Sequence, residues 1–186
     1  MKRKRMIAIA AAVIVLLSVG ATLALYVVAQ KPYVYPMTPD NPEWKELTRE
    51  ERHEVCRIPQ YRLWFMSTEH LLDATLDHPL VITLDIFDKQ AYGIEYMRDV
   101  CDAYCMLIKR SDAKDVILAR YWELVQDDDN IAHVIDSYLL SDLLLYDPIL
   151  VKQLTVEEKE ALRTYTTDST EGHSYDKEWR ESILTY

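Results

Sequence analysis

The stretch MIAIAAAVIVLLSVGATLALYVVA, residues 6–29, contains no charged side chain. As an α-helix it would be about 36 Å long at about 1.5 Å per residue, which exceeds the roughly 30 Å hydrocarbon core of a bilayer. Four cations at positions 2–5 precede it, and cationic flanks stay on the cytoplasmic side. The stretch therefore predicts an N-terminal transmembrane helix, with the rest of the chain outside the cytoplasm.

A cleaved secretory signal is the alternative interpretation of the same stretch. Such signals combine a basic start, an apolar region of about 7–15 residues and a small-residue cleavage site. Val27-Val28-Ala29 would serve as the cleavage site. Because the apolar run is longer than in a typical signal, we favour an uncleaved anchor. Both interpretations export the remaining chain, and cleavage would make it a secreted protein.

The charge of the exported part restricts its partners. Positions 2–5 hold four of the 21 Lys and Arg residues, so 17 cations face 31 acids beyond residue 30, a net charge of −14. A body this acidic is repelled by nucleic acids and by anionic lipid headgroups. We therefore expect no nucleic-acid partner.

Glycine is scarce, with only Gly93 and Gly172 outside the apolar run. Phosphate-binding loops and tight hairpins need glycine at fixed positions, and the chain has neither G-x-G-x-x-G nor G-x-x-x-x-G-K. Glycine scarcity thus argues for helices and against a nucleotide-binding enzyme.

The remaining sequence predicts an all-α protein in four parts. These are a membrane anchor or signal at 1–30, a proline-rich linker at 31–41, a compact extracytoplasmic domain at 42–165 and a mobile polar tail at 166–186. The domain should contain about seven short antiparallel helices. Prolines recur through the linker, so it should be extended and hold the domain about 30–40 Å from the membrane.

Capping signals place the helix starts. Thr48 and Glu51 form a predicted capping box, as do Thr155 and Glu158. Helices should also start at Asn41-Pro42, after Pro59 and at the caps Ser67 and Ser111. Helices are expected at 80–87, where the pattern also fits a strand, at 91–110 and at 131–146. An acidic loop at 126–130, a short helix from Asp147-Pro148 and the end of the last helix near Tyr165 complete the prediction.

Several of these signals together resemble a family of uncharacterised exported bacterial proteins. The family pattern is L-T-x-E-E…C-x-I-P…M-S-T-E-x-L-L…P-L, and here it runs from Leu47 to Leu80. A later part matches Arg110-Ser111-Asp112 with the aliphatic segment up to Tyr121. The resemblance covers about residues 44–125. It implies a helical fold and an extracytoplasmic location, and it brings no catalytic residue.

Histidines and acids are the candidate metal ligands. His53, His70, His78, His133 and His173 include no pair at the i, i+4 spacing of a helical zinc site. The acidic run at 127–129 offers oxygens for calcium, but it lacks the glycine and distal glutamate of an EF-hand. Helix capping explains the same residues, so we expect no metal site and no cofactor.

Two candidate catalytic groups have simpler structural explanations. Cys56 follows His53 by three residues, but neighbouring glutamates would raise the pKa of its thiol. Asp142 lies in a leucine-rich helix, where a carboxylate commonly lies at an edge of the apolar face or pairs with an arginine such as Arg98 or Arg120. We therefore predict no catalytic residue.

The three cysteines are predicted to be free thiols. Their number is odd, and Cys101 and Cys105 would lie one turn apart on one helix, a poor geometry for a mutual disulfide. A bridge from Cys56 to either of them is the alternative.

The favoured function is therefore a non-catalytic interaction module at the bacterial cell surface. It would bind an unknown protein partner and would be held in the membrane through residues 6–29. The alternative is a small extracytoplasmic hydrolase with a carboxylate or metal site.

Overall fold

The structure is a computed structural model that describes residues 2–81, 90–126 and 131–172. Within these ranges it describes the side chains except at 2–12, 29, 90–91, 131, 134 and 165–172. All regular elements there are helical, which confirms the all-α prediction. They are α1 (Lys2–Ala29), a 3₁₀ helix (Pro42–Glu46), α2 (Arg49–Val55), α3 (Gln60–Phe65), α4 (Thr68–Leu76), α5 (Gln90–Val100), α6 (Asp102–Leu107), α7 (Ala113–Leu124), α8 (Ile131–Tyr146) and α9 (Val156–Gly172).

Both predicted capping boxes are present. The Thr48 hydroxyl accepts from the Glu51 N–H at 3.2 Å, and the Glu51 carboxylate accepts from the Thr48 N–H at 2.8 Å. Thr155 and Glu158 repeat this exchange at 3.1 and 2.7 Å. Ser67 caps α4 by accepting from the His70 N–H. Each cap satisfies backbone donors that the first helical turn leaves unpaired, which fixes where α2, α4 and α9 begin.

The core lies where α4, α6, α7 and α8 pack together. Helix α4 packs against α6 and α7, while α8 packs against α5, α7 and α9. The large side chains that are fully buried there are Leu71, Leu72, Met97, Tyr104, Leu107, Ile117, Leu140, Leu143, Leu144 and Leu150.

The predicted helix at 91–110 is in fact two helices. Cys101 interrupts it with an extended backbone conformation, φ −108° and ψ 99°, and becomes the N-cap of α6. Its sulfur accepts from the Tyr104 N–H at 3.4 Å. The break redirects the chain, so that α5 packs against α8 while α6 packs against α4. An apolar stripe alone does not reveal such a change of direction.

Three smaller expectations also differ from the structure. Asp112, not Ser111, precedes α7, and its carboxylate accepts from the Thr68 hydroxyl. Residues 148–153 form turns instead of a short helix, because the Asp147 carboxylate accepts from the N–H groups of Ile149 and Leu150. Helix α9 continues past the expected end near residue 165 to residue 172, since no proline or glycine interrupts it earlier.

Some predictions fall on residues that are not described. The expected helix at 80–87 has only its first two residues in the described ranges, and the acidic loop at 126–130 has only Gln126. The predicted polar tail is described to residue 172.

The proline-rich linker does not act as the spacer that its sequence suggested. The Tyr35 side chain is only 6% exposed, and its hydroxyl donates to the Ala74 carbonyl of α4 at 2.7 Å. The Tyr33 and Tyr35 rings pack edge to face at 5.0 Å. Burial of tyrosine rings therefore folds the linker back onto the body, although its prolines favour an extended backbone.

Helix α1 packs against α3. Among the residues whose side chains the structure describes, which in α1 are 13–28, no helix is long and apolar enough to cross a membrane.

Candidate functional site

The end of α1 meets α3 in a small set of specific contacts. The rings of Tyr26 and Phe65 pack edge to face with centroids 6.3 Å apart. The Gln30 side-chain amide donates to the Phe65 carbonyl at 2.9 Å, and the Arg62 guanidinium donates to the Lys31 carbonyl at 3.0 Å. These contacts hold α3 beside the last turn of the apolar helix.

Tyr33 joins the linker to the same junction. The Arg62 guanidinium lies over its ring, 5.2 Å from the centroid, and its hydroxyl donates to the Arg57 carbonyl at 3.4 Å. Burial raises the pKa of the Tyr33 phenol, and the positive charge of Arg62 partly opposes this rise. The phenol therefore stays neutral and bridges the linker to the chain between α2 and α3.

Four aromatic rings extend from this junction; three are exposed, whereas the Phe65 ring is half-buried and packs against the core. Tyr61, Trp64 and Phe65 have the i, i+3, i+4 spacing that puts side chains on one face of a helix. Trp64 is 60% exposed and Tyr61 is 41% exposed. Tyr26 of α1, which contacts Phe65, is also exposed. We refer to these four residues as the aromatic face.

A second cluster consists of charged groups where α4, α7 and α8 meet. Arg120 contacts Asp73 at 3.0 Å and Glu123 at 3.5 Å. Burial, and then the charge of Asp73, raises the pKa of the Asp77 carboxyl. Burial, and then the charge of Asp77, raises the pKa of Asp136, although His133 and Arg120 oppose this rise.

This charged cluster has both a chemical and a structural interpretation. A carboxyl group with a raised pKa can hold a proton and donate it, as a hydrolase with a carboxylate site requires. The Arg120–Asp73 ion pair also ties α7 to α4, which is a structural role that needs no substrate. The sequence did not predict that Asp77 and Asp136 would interact, because they lie on different helices.

Among the charged side chains that the structure describes, Asp147 is the most buried, with no exposed surface. One of its oxygens accepts from the Arg98 guanidinium at 2.7 Å and from the Tyr104 hydroxyl. The other accepts from the Ile149 N–H at 2.7 Å and the Leu150 N–H at 3.3 Å. The carboxylate thus joins α5, α6 and the turn after α8, and it acts as a structural centre.

His78 is a buried polar group next to the linker. Its Nδ1 accepts from the Leu80 N–H at 3.2 Å, and its ring packs edge to face with Tyr35 at 5.2 Å. Nε2 makes no hydrogen bond within the usual distance and angle limits. The Val100 backbone nevertheless lies close enough to stabilise the protonated ring, which by itself would raise the pKa. Burial outweighs that effect and lowers the pKa of His78 to about 4.

The predicted proximity of Cys56 and His53 does not produce a thiol–imidazole pair. Cys56 is the C-cap of α2 and is 1% exposed. The His53 ring instead lies near Tyr96, with Nε2 3.5 Å from the phenol oxygen. Burial raises the pKa of the Cys56 thiol to about 11. The expected rise is therefore present, but its cause is burial and not the neighbouring glutamates.

All three cysteines are free thiols, as predicted. Cys105 donates to the Arg98 carbonyl at 2.8 Å. Burial raises the pKa of Cys101 to about 12. The expected reason was partly wrong, because Cys101 caps α6 and does not share one continuous helix with Cys105.

Asp142, the candidate carboxylate of the leucine-rich helix, is half-buried on α8. Its suggested partners form ion pairs with other acids. Arg98 pairs with Asp147, and Arg120 pairs with Asp73. The Asp-Pro step at 147–148 was the available signal for the buried carboxylate, since aspartate before a turn often accepts from the following N–H groups.

The two separated parts of the family-like pattern come together in space. The Arg110 guanidinium donates to the Met66 carbonyl at 3.0 Å, and the Thr68 hydroxyl donates to the Asp112 carboxylate at 2.8 Å. The Met66-Ser67-Thr68 corner is thus joined to the chain before α7. These residues have structural roles that explain why such a pattern would occur.

Metal ligands do not cluster in the described ranges, where no group of three or more His, Cys, Asp and Glu side chains could hold a metal ion. The acidic run at 127–129 lies outside those ranges.

Comparison with known proteins adds no relative to these observations. No protein-family model, no curated protein and no solved structure matches this chain.

Proposed function

We propose that this chain is a single-pass membrane protein that presents an acidic helical body outside the cytoplasm. Residues 6–29 form the anchor, and the body is a non-catalytic interaction module at the bacterial cell surface. Membership of the exported bacterial family described above is part of this proposal. The single observation that carries it is the exposed apolar surface of α1.

The exposure of α1 is continuous along its described side chains. Every side chain from Val13 to Val28 is exposed, with Leu16 at 71% and Leu17 at 68%. Exposed apolar surface is unfavourable in water by about 25 cal/mol per Å², and continuous patches of this kind mark membrane or protein contacts. The uncharged run extends beyond this exposed part, from Met6 to Ala29. A lipid environment accounts for both properties.

The orientation follows from the cations at positions 2–5. Lys and Arg next to a membrane helix remain on the cytoplasmic side, and the chain beyond residue 30 has a net charge of −14. This asymmetry favours a cytoplasmic N-terminus and an exported body.

The interaction role is supported by apolar side chains exposed near the end of α8 and the start of α9. Tyr146 is 47% exposed, Ile149 is 40% exposed and Val156 is 77% exposed. They lie within eleven consecutive residues. Aromatic side chains are enriched in protein interfaces, and the buried cores of interfaces are more apolar than the rest of the protein surface. These exposed side chains are the proposed contact for a protein partner.

The anchor is tested with charges placed in α1. Replacing both Leu16 and Leu17 with lysine should remove the protein from carbonate-washed membranes, because each lysine near a membrane-helix centre costs about 2.5–3.5 kcal/mol. Val156→Lys is the matched control, since it places lysine at an exposed apolar position of the body, and it should stay in the membrane fraction.

Two results would contradict the anchor. One is release of the unaltered chain by carbonate. The other is a recovered protein that begins at Gln30, which would indicate a cleaved signal and secretion. Intact mass spectrometry of the membrane fraction distinguishes these cases.

The interaction role is tested by crosslinking in intact cells. Tyr146→Ser combined with Ile149→Ser should abolish a crosslinked species that the unaltered protein forms. Val34→Ser, at an 83% exposed position of the linker, is the control and should retain it. An unchanged crosslinking pattern in the double variant would contradict these side chains as the contact.

A further inference from the structure

We propose that the aromatic face lies in the headgroup layer of the outer leaflet, so that the body rests against the membrane. The face consists of Tyr26, Tyr61, Trp64 and Phe65, and the ligand is a neutral, zwitterionic phospholipid surface. This inference rests on the proposed anchor and adds to it the way in which the body contacts lipid.

The depth of the face follows from its contacts with α1. Tyr26 precedes the last residue of the uncharged run by three positions, which is about 4–5 Å along a helix axis. Its ring contacts Phe65, and Gln30, the first residue beyond the run, bonds to the Phe65 carbonyl. The face is therefore level with the end of the run, where hydrocarbon gives way to headgroups.

The chemistry of the face suits that level. Trp64 and Tyr61 are exposed, whereas Leu63, on the other side of α3, is 7% exposed and packs into the core. Trp and Tyr are enriched at membrane–water interfaces because each has an apolar ring with a polar group at one edge. The face thus offers lipid the two residue types that interfaces favour.

The linker keeps the body at this position. Tyr35 is buried and bonds to Ala74 of α4, and Arg62 bonds to the Lys31 carbonyl. A linker held at its first residue and again at its middle cannot extend as a 30–40 Å spacer. The body therefore begins directly beside the membrane.

Charge selects a neutral headgroup layer. The beginning of the linker and the helix α3 that it contacts carry the cations Lys31 and Arg62, and long cationic side chains can reach the phosphate level while their stems remain apolar. The whole exported part, however, has a net charge of −14, which repels an anionic surface. Zwitterionic lipid satisfies the local cations without repelling the body.

Tryptophan fluorescence tests the inference in the full chain. The protein is reconstituted into phosphatidylcholine vesicles whose lipids carry bromine near the top of the acyl chains, since bromine quenches only tryptophans at that depth. We expect the unaltered chain to be quenched and Trp64→Phe to lose most of the quenchable emission. Trp122→Phe, which alters a half-buried ring on α7, is the control and should retain it.

The outcomes separate this inference from the anchor. Equal quenching of the unaltered chain and Trp64→Phe overturns the inference if the chain floats with the vesicles, and the anchor then stands. A chain that does not float overturns both proposals. Trp64 emission that is shielded from aqueous iodide but not quenched by bromolipid would show that a second copy or another protein covers the face, and this also overturns the inference.

Discussion

Helices α1 and α8 are both rich in leucine, yet their leucines have opposite surroundings. Leu140, Leu143 and Leu144 of α8 have no exposed surface, whereas Leu16 and Leu17 of α1 are about two-thirds exposed or more. The difference lies in the neighbours, because α5, α7 and α9 cover α8 while α1 packs against α3. Apolar composition therefore does not by itself indicate burial in a protein core. It indicates that water is excluded, by protein in one case and by lipid in our proposal for the other.

The largest expected effect concerns the buried charge that α8 positions at its end. Asp147→Ala should lower the free energy of unfolding by about 3–5 kcal/mol, because it leaves the buried Tyr104 hydroxyl and two backbone N–H groups without their acceptor and the partly exposed Arg98 guanidinium without its partner. Denaturant unfolding of the full chain in detergent micelles measures this loss.

Its matched control is the exposed ion pair between Glu54 and Arg57, whose side chains are 75% and 68% exposed. Glu54→Ala should change stability by less than about 1 kcal/mol. Similar losses in Asp147→Ala and Glu54→Ala would show that the buried network contributes no more than a surface pair.

A direct test of the comparison removes one leucine from each helix. Leu144→Ala should cost about 2–5 kcal/mol in the same unfolding assay, since it removes buried methyl groups and leaves a cavity. Leu16→Ala should leave the unfolding of the body unchanged, because its side chain is 71% exposed and contributes nothing to the core. A comparable loss in Leu16→Ala would mean that α1 belongs to the cooperative core.

A smaller effect, roughly 3 kcal/mol at full titration, is expected from His78. Its pKa in the folded chain is lowered to about 4, against about 6.5 for an ordinary histidine. Between these values the unfolded chain binds a proton that the folded chain does not, so stability falls as pH drops from about 6.5 to about 4. Above pH 6.5 this contribution is constant.

His78→Asn isolates this term, because its side-chain oxygen can still accept from the Leu80 N–H. We expect the loss of stability between pH 6.5 and 4 to be smaller in this variant than in the unaltered chain. Asp77 and Asp136, whose pKa values are raised, oppose the loss equally in both proteins. A pH profile of His78→Asn that matches that of the unaltered chain would contradict the assignment of this effect to His78.

The helix boundaries show which structural features can be predicted from residues that are close together in the sequence. Thr48, Ser67 and Thr155 start helices as predicted, because a capping hydroxyl bonds to an N–H only two or three residues away. Cys101 was missed as a cap, since cysteine is a weak acceptor and its apolar neighbours continue the helical pattern. The end of α9 was also missed, because polar composition says little about where a helix stops.

The features of the candidate site also divide into those that the sequence shows and those that only the structure shows. The uncharged run, the cations before it and the aromatic residues at 61, 64 and 65 are visible in the sequence. Their position relative to one another is not, because the contacts of Phe65 with Tyr26 and Gln30 join residues 35 to 39 positions apart. The linker was misread for a similar reason, since prolines describe a local backbone preference while the burial of Tyr35 depends on α4.

By itself, the sequence determined the helical class, the uncharged N-terminal run and the caps that begin α2, α4 and α9, because each depends on composition or on residues within a few positions. Only the tertiary structure decided which leucines are buried, that Arg98 and Tyr104 share Asp147, and that the linker lies on the body. These features depend on contacts between distant parts of the chain. The free energy of such contacts comes from packing and from polar groups that are satisfied together, and no local pattern records which partners will meet.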